Sequence, residues 1–281
     1  MTDALVTTDW LEAHLDAPDV RVVDASYYLK IQNRDPKGEF ADEHIPGAVF
    51  FDIDEIADET SSLPHMLPPP EKFAARMRRM GLGDGNRIVV YDTNGGGSAA
   101  CRAWWMFRVF GHREVSVLDG GFPKWLREQR PVTDQPTPPR ERHFTARVDT
   151  TLVREVGQIL ANLETGREQV VDARSPGRWR GTDPELWPVN KVGRIPGSLN
   201  LPFVDLIDGR SKTFLSPEVI RERFQAAGVD LKRPIVASCG SGVTACVLAL
   251  GLHLIGRDDA AIYDGSWVEW GNRDDTPVET N

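Results

Sequence analysis

The sequence predicts an α/β protein made of two tandem domains of one fold, each a mainly parallel sheet flanked by helices. Three observations lead to this prediction. Short apolar runs typical of buried strands alternate with segments of helical periodicity. The order of these segments occurs twice within the 281 residues. A proline-rich stretch, typical of a stiff extended linker, separates the two occurrences.

The first half contains predicted strands rich in valine and predicted helices punctuated by proline and glycine. The strands are Val20–Asp24, Arg87–Asp92 and Val115–Asp119, and the longer helices are Pro68–Met80 and Ala99–Phe110. Proline at the start of a helix and glycine just after its end are the expected punctuation. A glycine-rich turn at 94–97 leads into the second of these helices.

The second half repeats these segments in the same order and at a nearly constant distance. Five pairs of landmarks lie 145 to 150 residues apart, namely Asp24 with Asp172, Pro46 with Pro196, Asp92 with Cys239, Asp119 with Asp264, and Trp125 with Trp270. One shared Ile-Pro-Gly could arise by chance, but five ordered matches indicate a duplicated domain. We therefore predict a first domain at 1–130, a proline-rich linker at 131–143 and a second domain at 144–281.

The composition restricts the class of protein and of partner. The chain is 40% hydrophobic and 27% charged, as in globular proteins, and its net charge of −9 argues against nucleic acid or anionic membrane as the main partner. No apolar run reaches the roughly 20 residues of a membrane span, and the first residues lack a secretory signal. Three cysteines without metal-ligand spacing argue against a disulfide framework. We expect a cytoplasmic protein that needs no metal or other cofactor.

The candidate nucleophile is Cys239, which follows a short apolar strand and precedes a helix that runs to Leu254. In that setting the loop N–H groups and the positive end of the helix would face the sulfur and favour its thiolate, the nucleophilic form. Gly240 and Gly242 would let the backbone curl tightly. A buried structural cysteine in a strand-to-helix turn is the alternative that the residues alone leave open.

The repeat indicates which half is catalytic. In the first half Asp92 stands at the position of Cys239, and Cys101 lies inside a predicted helix. We therefore predict that the second half carries the chemistry and that the first half supports it and forms one wall of a cleft. Cys246, in the predicted helix after the loop, is interpreted as a packing residue.

Three motifs together resemble the two-domain sulfurtransferases of the rhodanese superfamily: Cys-Gly-Ser-Gly-Val-Thr at 239–244, His-Ile-Pro-Gly at 44–47, and the closing segment 263–270. The resemblance covers nearly the whole chain. The residues directly after the cysteine are neutral and so resemble those of the mercaptopyruvate branch of this superfamily. The thiosulfate-preferring branch usually has basic residues at these positions. The resemblance implies a persulfide on Cys239, sulfur transfer from 3-mercaptopyruvate to cyanide or to a thiol acceptor such as thioredoxin, release of pyruvate, and no metal.

The resemblance also implies the residues of the site. Beside Cys239, the proposed proton-handling set falls on Ser241, His65 and Asp54. The donor carboxylate is expected to bind Arg178, because guanidinium groups match carboxylates in geometry and charge. The remaining substrate-binding positions are Gly240, Gly242, Val243 and Thr244. Since His65 and Asp54 come from the first half, this set requires the two halves to close on one cleft.

The chain departs from the family pattern at Trp187, where a second substrate arginine is usual. Lys191, Arg194 and Arg180 are the nearby cations that could replace it. The first alternative function is a thiosulfate sulfurtransferase, which the neutral loop disfavours because a dianion is stabilised by nearby cations. The second is a non-catalytic sulfur-carrying or binding module. A phosphatase is disfavoured, because its loop needs an arginine to hold the phosphate oxygens.

Overall fold

A computed structural model describes residues 4–95, 97–138 and 140–280. Gly96 of the predicted glycine-rich turn and Pro139 of the predicted linker lie outside the described residues. In the first half the strands are β1 (Leu5–Val6), β2 (Val20–Asp24), β3 (Ala48–Phe50), β4 (Arg87–Tyr91) and β5 (Val115–Leu118). The helices are α1 (Thr8–His14), α2 (Pro36–Asp42), α3 (Ile53–Ile56), α4 (Pro70–Arg79), α5 (Ser98–Val109) and α6 (Gly121–Arg127), with a 3₁₀ turn at Lys30–Gln32.

The second half forms its elements in a parallel order. Its strands are β6 (Val153–Arg154), β7 (Gln169–Asp172), β8 (Leu199–Asn200), β9 (Ile235–Ser238) and β10 (Ala261–Tyr263). Its helices are α7 (Val156–Thr165), α8 (Pro176–Arg180), α9 (Pro217–Ala226), α10 (Ala245–Leu254) and α11 (Ser266–Trp270), and 3₁₀ turns lie at Thr150–Leu152 and Phe203–Leu206.

Each half carries one five-stranded sheet, and the two sheets have the same strand order. The first sheet is ordered β1-β5-β4-β2-β3 and the second β6-β10-β9-β7-β8. Every pair of neighbouring strands is parallel. Parallel neighbours require crossover connections, which the helices supply. The predicted α/β fold with two duplicated parallel sheets is confirmed.

The inner strands explain why the sequence patterns were recognisable. In β7 and β9 every residue is buried, and β2 and β4 each have only one residue that is partly exposed. Such strands appear in a sequence as apolar runs, because helices cover both faces. The edge strands β1 and β6 have two residues each and were not predicted. Two residues are too few to show an alternating or apolar pattern. These strands form because β5 and β10 lie beside them as hydrogen-bonding partners.

The chain packs as two units that largely follow the two halves of the sequence. The first unit contains the chain up to Glu59, Leu67–Asp149 and Gly209–Phe214, and the second contains Thr60–Met66, Thr150–Asp208 and the chain from Leu215. Two short segments are therefore assigned to the unit of the other half. Within them His65 and Lys212 adopt the left-handed conformation, with φ of 62° and 64°. Because such residues are uncommon, their recurrence at equivalent positions agrees with a duplicated domain.

The residue before each Ile-Pro-Gly motif holds an extended segment that follows the last helix of its half. The backbone of His44 pairs with Thr133 in the first half, and that of Arg194 pairs with Glu279 in the second. His44 also stacks on Phe40, and the Arg194 guanidinium lies 4.2 Å from the centre of the Trp179 ring. Arg194 therefore fills a structural position that the first half gives to histidine.

The buried acid at the end of β2 gives a stability prediction. Burial raises the pKa of Asp24 to about 6, and its hydrogen bonds to Ser26 only partly oppose the rise. The folded state thus binds this proton more tightly than the unfolded chain does. The Asp24 contribution to stability is complete below the unfolded pKa and is lost as the pH rises through the folded pKa. We expect Asp24→Asn to raise the unfolding free energy by about 1–2 kcal/mol at pH 7.5, and this gain to shrink towards pH 4.5.

Urea unfolding of Asp24→Asn and the unchanged protein at both pH values measures this difference. The matched control is Asp172→Asn at the end of β7, because the Asp172 carboxylate is paired with Arg174 at 2.7 Å rather than with a serine. That change should destabilise the protein, since it removes one of the two carboxylates, Asp172 and Glu185, that pair with the buried Arg174 guanidinium. A gain for Asp24→Asn that is equal at pH 4.5 and 7.5 would contradict the assignment.

Candidate active site

The candidate nucleophile Cys239 lies at the carboxyl end of β9, the central strand of the second sheet. Ligand sites of parallel α/β sheets lie at this edge. The loop Cys239–Thr244 connects β9 to α10, and only 1% of the cysteine surface is exposed. Gly242 has φ +75°, a conformation that a side chain rarely adopts. A glycine is therefore required where the loop turns towards the helix.

The start of α11, the helix that follows β10, binds the backbone of the loop through hydrogen bonds. The N–H groups of Trp267 and Val268 donate to the carbonyl oxygens of Cys239 and Gly240, at 3.0 and 2.8 Å. The N–H of Cys239 donates to Ser266 Oγ at 3.1 Å. On the helical side, Cys246 Sγ donates to the carbonyl of Gly242 at 3.3 Å. The backbone that carries the sulfur is thus held at four points.

The corresponding loop of the first half holds an acidic side chain, that of Asp92, at the position of the cysteine. Asp92 follows β4 as Cys239 follows β9, and Gly95 has φ +65°, as Gly242 has +75°. The Asp92 carboxylate accepts hydrogen bonds from the N–H groups of Ala99 and Ala100, at 3.0 and 3.1 Å. Burial raises the pKa of Asp92, and these N–H groups oppose the rise. The N–H groups at the start of α5 thus point at the side chain that stands in the place of the cysteine, and such groups are anion ligands at helix N-termini.

The predicted carboxylate-binding arginine lies against the catalytic loop. A carbon added at Gly240 would be 2.7 Å from Arg178 Nη2, so glycine leaves room for the guanidinium. Glu185 Oε2 accepts from Arg178 Nε and Nη2, at 2.9 and 2.5 Å, and Glu185 Oε1 accepts from Arg174 at 2.6 Å. Arg174 also pairs with Asp172. The two arginines and two carboxylates balance in charge.

Trp187 occupies the place expected for a second arginine and brings His65 to the loop. The His65 and Trp187 rings meet edge to face, with centroids 5.5 Å apart. Trp187 Cδ1 lies 3.9 Å from a carbon added at Gly240. His65, although it belongs to the first half of the sequence, packs within the second unit. His65 is buried against Trp187, and its place in the proton-handling set stays a prediction.

The remaining predicted residues are distributed as follows. Ser241 and Val243 are buried within the loop, and the half-buried Thr244 precedes α10. Asp54 belongs to the first unit, where it lies in the first turn of α3 with an exposed side chain. Its part in the proton-handling set stays a prediction.

The three cations considered as replacements for the missing arginine have different surroundings. Lys191 Nζ donates to the carbonyls of Arg273 and Thr276, and Arg194 pairs with Glu279. Arg180 is exposed at the end of α8. Lys191 and Arg194 are therefore engaged in holding the end of the chain.

Three residues beside the loop were not predicted from the sequence, namely Glu185, Arg174 and Ser266. Glu185 lies seven residues after Arg178, and the need of a buried arginine for an acidic partner is the signal that indicates it. Ser266 was part of the closing motif, but nothing in its spacing indicates a bond to Cys239. Such contacts depend on how two distant segments pack.

Within 4–95, 97–138 and 140–280, no cluster of three or more histidine, cysteine or acidic side chains could hold a metal ion. In the same part of the chain, no helix combines the length and apolar character needed to cross a membrane.

Comparison with known proteins identifies the family. The model of the rhodanese-like domain matches twice, at residues 7–128 and 155–273. The chain is 47% identical to the 3-mercaptopyruvate sulfurtransferase of Homo sapiens over 274 residues, which cover 95% of this chain and 91% of the relative. It is 46% identical to the thiosulfate sulfurtransferase of Bos taurus over 285 residues, covering 99% and 94%.

A solved structure gives the same result. The crystal structure of SseA from Escherichia coli, described as a 3-mercaptopyruvate sulfotransferase, superposes with a TM-score of 0.86 at 38% identity, covering 95% of this chain and 99% of that one. The two matches to the domain model together span most of the sequence. The chain therefore belongs to the rhodanese family of sulfurtransferases and contains two rhodanese-like domains in tandem.

Proposed function

We propose that this sulfurtransferase takes its sulfur from 3-mercaptopyruvate, carries it as a persulfide on Cys239 and passes it to a thiol or to cyanide. The observation that carries the proposal is the combination of an uncharged nucleophile loop with one guanidinium, that of Arg178, placed against Gly240. A donor with a single carboxylate suits such a site.

The charge balance beside the loop supports this choice of donor. The Arg178 guanidinium is only partly exposed, and Glu185 takes its Nε and Nη2 donors. Among the described residues Nη1 and the second N–H of Nη2 make no hydrogen bond, and these donors remain for the carboxylate of a sulfur donor. The Arg178 guanidinium can therefore orient the carboxylate of the sulfur donor by hydrogen bonds. Glu185 neutralises part of its positive charge, so the site stabilises a dianion such as thiosulfate less well.

The chemistry follows from the nucleophile. The Cys239 thiolate attacks the sulfur of 3-mercaptopyruvate, and a sulfur–sulfur bond forms as the carbon–sulfur bond breaks. The bonding pair passes to carbon and gives the enolate of pyruvate, which takes up a proton. An acceptor thiolate or cyanide then attacks the outer sulfur and releases the Cys239 thiolate. Loop N–H groups would stabilise the anion in both states.

We propose that Ser241 and His65 assist the proton transfers, with Asp54 as the third member of the set. The burial of His65 against Trp187 beside the loop supports its part. For the acceptor we propose a small dithiol protein such as thioredoxin. The cysteines at 101, 239 and 246 are buried thiols that form no disulfide, which agrees with the reducing cytoplasm as the proposed location.

A thiosulfate sulfurtransferase is the second candidate, because the bovine relative with that name is 46% identical over 99% of this chain. This identity is nearly the same as that to the human mercaptopyruvate enzyme, so overall similarity does not choose between the donors. The choice depends on the loop, where thiosulfate would meet no basic side chain between Cys239 and Cys246.

Initial rates with the two donors, each at several concentrations and with cyanide as acceptor, test the proposal. We expect kcat/KM for 3-mercaptopyruvate to exceed that for thiosulfate by at least about tenfold, a ratio that a single charge difference can supply. Mass spectrometry after addition of donor alone should show one extra sulfur atom on the Cys239 peptide.

A preference for thiosulfate would contradict the proposed donor and would show that cations outside the loop select it. Absence of turnover with both donors, together with an unmodified Cys239 peptide, would instead favour the non-catalytic binding module. These two outcomes are separable because the persulfide is detected independently of the acceptor.

A further inference from the structure

Ser266, which lies directly beneath the catalytic loop, has an unusual conformation. It begins α11, its side chain is fully buried, and its φ is +49°. Left-handed backbone is strained for a residue with a side chain, and such strain is characteristic of functional sites. The serine hydroxyl donates to the carbonyl of Tyr263 at 2.8 Å and accepts from the N–H of Cys239 at 3.1 Å. The hydroxyl therefore joins the end of β10 to the nucleophile.

The first half provides an internal comparison. Its residue at the same place is Gly121, with φ +55°, and the following N–H, of Phe122, donates to the carbonyl of Asp92 at 3.0 Å. Trp267 makes the same bond to Cys239 in the second half. The backbone turn therefore forms with glycine and does not require a hydroxyl.

A side chain at the position of Gly121 and Ser266 comes close to the carbonyl oxygen at the end of the central strand. A carbon added at Gly121 would lie 2.6 Å from the carbonyl oxygen of Asp92. The half that contains Asp92 has the unstrained glycine, while the half that contains Cys239 has a strained serine. The hydroxyl is thus present where a nucleophile must be aimed and absent where none exists.

We propose that Ser266 is a positioning residue, whose hydroxyl holds the peptide N–H of Cys239 and so fixes the direction in which the sulfur projects into the loop. The proposal rests on the proposed function, because it gives the hydroxyl a purpose in the reaction of Cys239. Since the bond is buried, bulk water does not replace it when the hydroxyl is removed.

The test compares Ser266→Gly and Ser266→Ala with the unchanged protein, at a temperature where circular dichroism shows all three folded. We expect Ser266→Gly to keep its Tm within about 2 °C, because loss of strain offsets loss of the hydrogen bond. In both variants the alkylation of Cys239 by iodoacetamide and the kcat should fall about tenfold or more, with KM for the donor nearly unchanged. Peptide mass spectrometry confirms that Cys239 is the alkylated residue.

The control is Ser216→Ala, which removes the serine that caps α9. It should lower Tm without changing the alkylation of Cys239. A rate of alkylation like that of the unchanged protein in either Ser266 variant would overturn the proposal and leave Ser266 a purely structural residue. Because alkylation needs no donor, this result is independent of whether 3-mercaptopyruvate is the substrate.

Discussion

Serine at position 239 is expected to abolish sulfur transfer from every donor, with a loss of roughly 10⁴-fold or more in kcat. The hydroxyl is a far weaker nucleophile than the thiolate at neutral pH, and it cannot form a persulfide. The side chain is buried at the end of β9, and oxygen is smaller than sulfur, so the fold should tolerate the change. Donor-dependent thiocyanate formation and the mass of the peptide that contains residue 239 measure the two effects.

The matched control is Cys101→Ser, another buried cysteine, which lies in α5 of the first unit. It should keep the rate of the unchanged protein if it folds, as judged by Tm. Persulfide sulfur on any peptide of Cys239→Ser after addition of donor would contradict Cys239 as the sulfur carrier. Thiocyanate formation at the full rate would do the same.

The duplicated fold could be predicted because its evidence is local and repeated. Each buried inner strand shows its own apolar run. Because the domain occurs twice, an element with a weak pattern in one half is supported by the equivalent element in the other half. The bounds of β2 agree with the sequence prediction at both ends. Cys239 could be singled out for the same reason, since its glycine-flanked loop lies between a strand and a helix that are both recognisable.

The surroundings of Cys239 could not be predicted in the same way, because they join segments that are distant in the sequence. Ser266 is 27 residues from Cys239, and its hydrogen bond exists only because β9 and β10 are neighbours. The contact of His65 with Trp187 depends on a segment that packs with the unit of the other half. Spacing and composition contain no information about such contacts, so only the family resemblance indicated His65.

Loss of the Arg178 guanidinium is the second large effect we expect. In Arg178→Leu the KM for 3-mercaptopyruvate should rise roughly a hundredfold, as loss of a charge-assisted hydrogen bond to a carboxylate predicts. The kcat should change only a few-fold, because the carboxylate is bound alike before and during attack on the sulfur. Arg178→Lys should recover part of the loss, since lysine restores the charge but not the planar fork. Steady-state kinetics over a wide donor range separates the two constants.

The control for this change is Arg180→Leu, which removes an exposed arginine from the same helix, α8. If Arg178 binds the carboxylate, Arg180→Leu should leave KM within about twofold, since an exposed charge is screened by solvent. A larger rise in KM for Arg180→Leu than for Arg178→Leu would transfer the role to Arg180. The variant Glu185→Gln keeps an oxygen that can accept from Arg178 but removes the carboxylate that compensates the Arg178 charge, whereas Arg174 keeps its partner Asp172. Because uncompensated buried charges are costly, this variant should lose about 3 kcal/mol of stability, whereas Arg178→Leu, which leaves Glu185 paired with Arg174, should lose less.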